Sequence, residues 1–131
     1  MKKLLIIWEL PYSDKKLALY KGLIESCNTY FTEILSPIDT LNFEGTWEER
    51  YKRAFDSVKN SDVIIAECSN PSSGQWMEIR ESVLLWKELI VIAEKWAKVS
   101  GLITASPNLK KIIYYQGIDN LTTELKKYFL I

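Results

Sequence analysis

The residues best suited to chemistry lie in one run, Ser61-Asp62-Val63-Ile64-Ile65-Ala66-Glu67-Cys68-Ser69-Asn70-Pro71-Ser72-Ser73-Gly74-Gln75-Trp76-Met77-Glu78-Ile79. Two hydroxyls, Ser72 and Ser73, precede Gly74, and a carboxylate, Glu78, follows it by four places. The chain contains no histidine. Imidazole zinc sites and Ser-His or Cys-His catalysis are therefore excluded. Acid–base work falls to carboxylates, Tyr, Lys or Cys.

The elements around this run decide what those groups can reach. Val63 to Ala66 is a short apolar stretch, mostly β-branched, as in a central parallel strand covered on both faces. Pro71 offers no ladder donor and ends the strand, and Gly74 permits unusual backbone angles. A helix is expected to start near Gly74 or Gln75, capped by Ser72 or Ser73. Ligands of open α/β sheets sit where strands end and helices begin, because free backbone N–H groups point there. Glu78 is placed in the first helical turn, beside that mouth. The helix dipole favours a carboxylate there, so position alone favours a plain helix start.

The rest of the chain alternates strand and helix. Leu4 to Ile7 reads as the first strand, and Trp8-Glu9-Leu10-Pro11-Tyr12-Ser13-Asp14 as its turn, with Ser13 or Asp14 capping a helix. Leu17, Tyr20, Leu23 and Ile24 form its core stripe, and Asn28 ends it. Tyr30 to Leu35 is a second strand. Thr46-Trp47-Glu48-Glu49 is a capping box opening a helix to about Asn60, with Tyr51, Ala54, Phe55 and Val58 inward. After the central strand comes a helix with Ile79, Val83 and Trp86 on one face. Leu89 to Ala93 is a strand, Lys98 to Ser106 a short connection and Lys110 to Tyr115 the last strand. Asp119 is expected to cap a final helix with Leu121, Leu125, Tyr128 and Phe129 inward. The pattern predicts an α/β fold: a three-layer, doubly wound (Rossmann/flavodoxin-like) sheet of about five mainly parallel strands.

At 131 residues the chain is expected to be one domain, 1–131, with a substantial core. Hydrophobic residues make up 47%, which excludes a disordered chain. Lys plus Arg and Asp plus Glu balance at 17 each, so no global charge draws the chain to a nucleic acid polymer or an acidic membrane. The apolar run after the two opening lysines is too short for a signal peptide, and no run approaches a membrane span. Cys27 and Cys68 suggest no disulfide framework. These features together predict a cytoplasmic protein. Most of the five tryptophans are expected in packing positions.

The run from Ser61 to Gly74, followed by Met77-Glu78-Ile79, resembles the nucleoside 2-deoxyribosyltransferase superfamily, which includes 2'-deoxynucleoside 5'-monophosphate N-glycosidases. Lys98-Val99-Ser100-Gly101-Leu102-Ile103 and Pro107-Asn108-Leu109-Lys110 look like two further segments of that family. The likeness covers Trp47 to Phe129 and fades over the first third. It implies cleavage or transfer at the N-glycosidic bond of a nucleoside or nucleotide, with no cofactor and no metal. Glu78 matches the family nucleophile, a carboxylate able to trap an oxocarbenium-like centre as a glycosyl ester. Ser72 matches a serine at the phosphate or sugar, where its hydroxyl would join turn amides including those of Ser73 and Gly74; its simpler role is a helix cap. Ser100 matches a serine given to a neighbouring subunit's site, so the resemblance implies a homodimer, with Trp86 or Trp96 in the interface; otherwise Ser100 is a loop hydroxyl. Trp8 and Trp76, at ligand-side turns, are candidates to stack on a base or to close the pocket. Glu67 is suited equally to sugar hydroxyls and to loop amides.

The departures from the family point the other way. Trp8-Glu9 stands where the family has a Gly-Ser or Gly-Pro turn, and a bulky side chain there blocks close backbone approach. The family's helical Asp falls at Ala54, and Asp56 should face away, because two helical steps turn a side chain by about 200°. Arg80 stands where the family has a small residue. Loss of an acid–base partner costs about 10²–10⁴-fold in rate. Asp14, Tyr12, Glu9, Asp39 and Glu44 are the available stand-ins. The alternative is therefore a catalytically impaired nucleotide-binding or interaction domain of the same fold.

Overall fold

The computed structural model describes residues 2–9, 13–36 and 44–130. Five strands and five helices alternate in the order β1 (Lys2–Ile7), α1 (Asp14–Cys27), β2 (Phe31–Leu35), α2 (Trp47–Asn60), β3 (Val63–Glu67), α3 (Ser73–Leu84), β4 (Glu88–Glu94), α4 (Gly101–Thr104), β5 (Leu109–Tyr115) and α5 (Gly117–Phe129). All neighbouring strand pairs are parallel, and the sheet order is β2-β1-β3-β4-β5. The winding direction reverses between β1 and β3, which opens a crevice at their carboxyl ends.

Side-chain alternation along β3 divides the interior in two. Val63 and Ile65 join Leu4, Ile6 and Trp8 of the β1 segment, Tyr20 and Leu23 of α1 and Leu121 and Leu125 of α5. Ile64, Ala66 and Cys68 face the other way, with Val58 of α2, Ile79 of α3 and Ile103 of α4. A strand covered on both faces has no polar side to present, which is why β3 is an unbroken apolar run ending in one acid. Each cysteine belongs to a different core, Cys27 to the α1/α5 side and Cys68 to the α2/α3 side. Burial pushes their thiols up to about 11 and about 12. No helix among the described residues is long and apolar enough to cross a membrane.

Several local expectations are revised. Tyr51 is 60% exposed and packs at a tilt on Phe55, with ring centroids 4.4 Å apart, while Val58 carries the buried face of α2. Trp86 does not continue the inner stripe of α3. The helix ends at Leu84, and Trp86 lies beyond it at φ 55°, 67% exposed. The Lys87 N–H reaches the Ser82 carbonyl at 2.9 Å and the Trp86 N–H the Val83 carbonyl at 3.1 Å, a Schellman closure with tryptophan in the usual glycine position. Asp119 is the third residue of α5 rather than its cap; Gln116 precedes the helix, and Gly117 takes φ 79°. Gly74 needs no unusual angle, because it lies inside α3.

Candidate active site

The turn between β3 and α3 is held by side chains at every step. Glu67, buried at the end of β3, accepts hydrogen bonds from the Ser69 backbone N–H, the Ser69 hydroxyl and the Tyr115 hydroxyl. Ser69 Oγ also accepts from the Glu94 N–H at 2.8 Å. Thus loop groups and Tyr115, rather than a ligand, occupy the Glu67 carboxylate. Burial and the neighbouring Glu67 charge hold the Tyr115 hydroxyl far above its ordinary value.

Three residues further on, Ser72 caps α3. Its Oγ accepts from the Gln75 N–H at 3.3 Å, and Gln75 Oε1 accepts from the Ser72 N–H at 2.8 Å. Buried Gln75 also donates from Nε2 to the Glu67 carbonyl at 2.9 Å. The cap role of Ser72 is therefore realised. Its oxygen accepts within the cap, and the exposed hydroxyl keeps its proton to donate. Ser73 is exposed as the first residue of the helix.

Glu78 is the sixth residue of α3, so it stands in the second turn, not the first. The expected dipole stabilisation has largely faded there. The side chain is half-buried and has no hydrogen bond or ion pair with any described residue. Burial alone pushes its carboxyl up to about 7. Helical Cα–Cβ bonds tilt toward the N-terminus, so Glu78 leans over Gly74, one turn earlier. A Cβ built at Gly74 would meet only Ser72 Oγ, at 3.9 Å. A side chain at Gly74 would begin to cover the Ser72 cap, and the glycine leaves it uncovered. A desolvated carboxylate thus stands one helical turn beyond the exposed Ser72 hydroxyl and the first-turn amides. That combination suits attack on an electron-poor carbon beside an anionic or hydroxylated group.

Solved structures carry the same fold. The CMP N-glycosidase BcmB of Clostridium botulinum superposes with TM-score 0.77 at 20% identity, over 97% of this chain and 100% of its own. A 2-deoxyribosyltransferase from Bacillus psychrosaccharolyticus gives TM-score 0.70 at 16% identity, over 92% and 90% of the two chains. The Leishmania mexicana 2-deoxyribosyltransferase gives 0.64 at 14%, over 96% and 98%. The fold is nucleoside 2-deoxyribosyltransferase-like. No protein-family model and no curated protein matches the chain.

Within this deoxyribosyltransferase-like fold the remaining candidates separate. Trp8 is 4% exposed and stacks on Tyr20, with centroids 3.6 Å apart and planes 11° from parallel. One face of its ring is therefore taken by α1. Trp76, half-buried, packs against the α2/α3 core, so the two tryptophans lie on opposite sides of the sheet and do not form one clamp. Glu9 follows β1, half-buried. Ser100 caps α4, its Oγ accepting from the Leu102 N–H at 3.2 Å. Ala54 is half-buried on α2, and Asp56 is exposed, turned away as expected. Asp14 and Glu44 are exposed; Tyr12 and Asp39 lie outside the described residues. No described carboxylate hydrogen-bonds Glu78. The pairing of Ser69 and Tyr115 with Glu67 leaves one signal in the sequence, an acid ending a wholly apolar strand.

Proposed function

We propose that the protein cleaves or transfers at the N-glycosidic bond of a (deoxy)nucleoside or nucleoside 5'-monophosphate, with Glu78 as nucleophile. The observation that carries this is the desolvated carboxyl of Glu78, without a hydrogen bond to any described residue, one helical turn beyond the Ser72–Gly74 cap. Support also comes from fold neighbours described as a CMP N-glycosidase and 2-deoxyribosyltransferases.

In the first step a Glu78 oxygen attacks the anomeric carbon. The carbon–nitrogen bond breaks, its electron pair leaves with the base, and the base nitrogen takes up a proton from water. A glycosyl ester results. In the second step water, or another base, attacks the same carbon and gives up a proton, and the ester bond returns its electrons to Glu78. Ser72, with the amides of Ser73 and Gly74, holds the sugar or its 5'-phosphate, and Trp76 flanks the base. Burial raises the ground-state energy of the ionised Glu78, which makes it a better nucleophile once a ring displaces water. The reading includes a cytoplasmic homodimer in which the partner subunit's Ser100 completes the site and exposed Trp86 lies in the interface.

The test is base release from a panel of ribo- and deoxynucleosides and their 5'-monophosphates, CMP included. Wild type should release a base, and Glu78→Gln should not. Equal inactivity of both proteins across the panel would sink the enzyme reading and leave a binding domain.

A further inference from the structure

A cavity lies on the α1/α5 side of the sheet. It is a cleft of about 750 Å³, open to solvent, between the start of α1, the end of β4 and the start of α5. No residue of α2 or α3 lines it, so it is separate from the Glu78 corner. Its volume is within the range of about 300–1,000 Å³ typical of small-molecule sites.

Its walls have two characters. Leu19 and Ile118 supply aliphatic surface, and Trp96 presents an indole that is 71% exposed. The Trp96 Nε1–H donates to Glu94 Oε2 at 2.9 Å, which ties the ring at its polar edge and leaves its flat face uncovered. Lys15, Lys16 and Lys95 also line the cavity, against a single carboxylate, Glu94. That carboxylate is already shared by Trp96 and by Lys16, whose Nζ stands 3.8 Å away. Positive charge is therefore in excess here, although the chain as a whole is balanced. Gln116 gives α5 no side-chain cap bond, and it opens the helix at the cavity wall with Gly117 and Ile118. The empty volume, the flat indole and the surplus ammonium groups are three separate features that favour one ligand chemistry.

The geometry points to this cavity as a binding site for a small aromatic anion, a planar ring carrying one phosphate or carboxylate. The ring lies against Trp96 with Leu19 and Ile118 beneath it, and the anionic group faces Lys95, which no carboxylate among the described residues pairs. This site is independent of the proposed glycosyl chemistry and stands whether or not Glu78 is a nucleophile.

The test is titration of the purified chain with phenyl phosphate, read by tryptophan fluorescence and by amide chemical shifts. Saturable quenching in wild type, absent in Trp96→Phe, is expected, with shifts centred on Lys95, Trp96 and Gly117. Lys95→Ala should weaken binding about fivefold, as for a solvent-exposed charge contact. Both positions are exposed, so both variants should fold. Benzyl alcohol binding as tightly as phenyl phosphate would overturn the anionic part, and inorganic phosphate binding as tightly would overturn the aromatic part. No saturable change, or shifts centred on α3 and lost in Glu78→Gln, would overturn the site altogether.

Discussion

Gln75 donates from Nε2 to the carbonyl of Glu67 at 2.9 Å, binding the first turn of α3 to the last residue of β3. One buried side chain thus closes the helix cap and fixes the angle at which α3, and with it Glu78, leaves the sheet.

Gln75→Ala removes that bond together with half of the capping box, and leaves buried polar groups unpaired. The expected cost is about 2–4 kcal/mol, measured by urea unfolding. Gln75→Glu should lose more than the cap alone, because it can still accept from the Ser72 N–H but sets an acceptor against the Glu67 carbonyl. A cost under about 0.5 kcal/mol for Gln75→Ala, the level of an ordinary surface substitution, would show that the turn holds itself.

Glu78 ties stability to pH. Its carboxyl moves from an ordinary 4.5 up to about 7 on folding, through burial. The folded state therefore holds the proton more tightly than the unfolded one. The resulting stability is fully present below the unfolded value, declines as pH rises through the interval, and is gone above the folded value. Glu78→Gln should match wild type at acid pH and exceed it above neutrality, by on the order of 3 kcal/mol. Parallel stability curves for the two proteins across that interval would contradict this.

The same ionisation governs the proposed reaction. A nucleophilic carboxylate must be deprotonated, so kcat/KM should rise with an apparent pKa near the about 7 of the free protein. A rate already flat well below neutrality would assign the nucleophile elsewhere.

Trp86→Gly should stabilise the chain. The Schellman position asks for the left-handed backbone that a tryptophan adopts only at a cost, here with little burial in return. The gain should be about 1 kcal/mol, read as a shift in the denaturation midpoint at unchanged slope. Light scattering on the same variant tests whether Trp86 lies in a dimer interface, since losing that contact would favour the monomer.

Much of this was legible in the sequence because it is local. The capping box of Thr46 and Glu49 sets the start of α2, and the hydrophobic runs place all five strands. The position of Glu78 was harder, because choosing Ser72 over Ser73 as the cap slides every later residue along the helix. Trp8 stands where the sequence pattern expects a turn residue, yet it continues the Leu4 and Ile6 alternation and goes inside. The Glu67 cluster was out of reach, because Tyr115 comes from 48 residues away and only the finished sheet brings them together.

The two thiols, one in each core, give the molecule a built-in pair of unfolding clocks. Both are shielded and held in the unreactive form. An alkylating reagent can mark Cys27 only when the α1/α5 layer lifts, and Cys68 only when the α2/α3 layer does. Comparing the two labelling rates in native buffer would therefore reveal which side of the sheet breathes first, with no engineered probe.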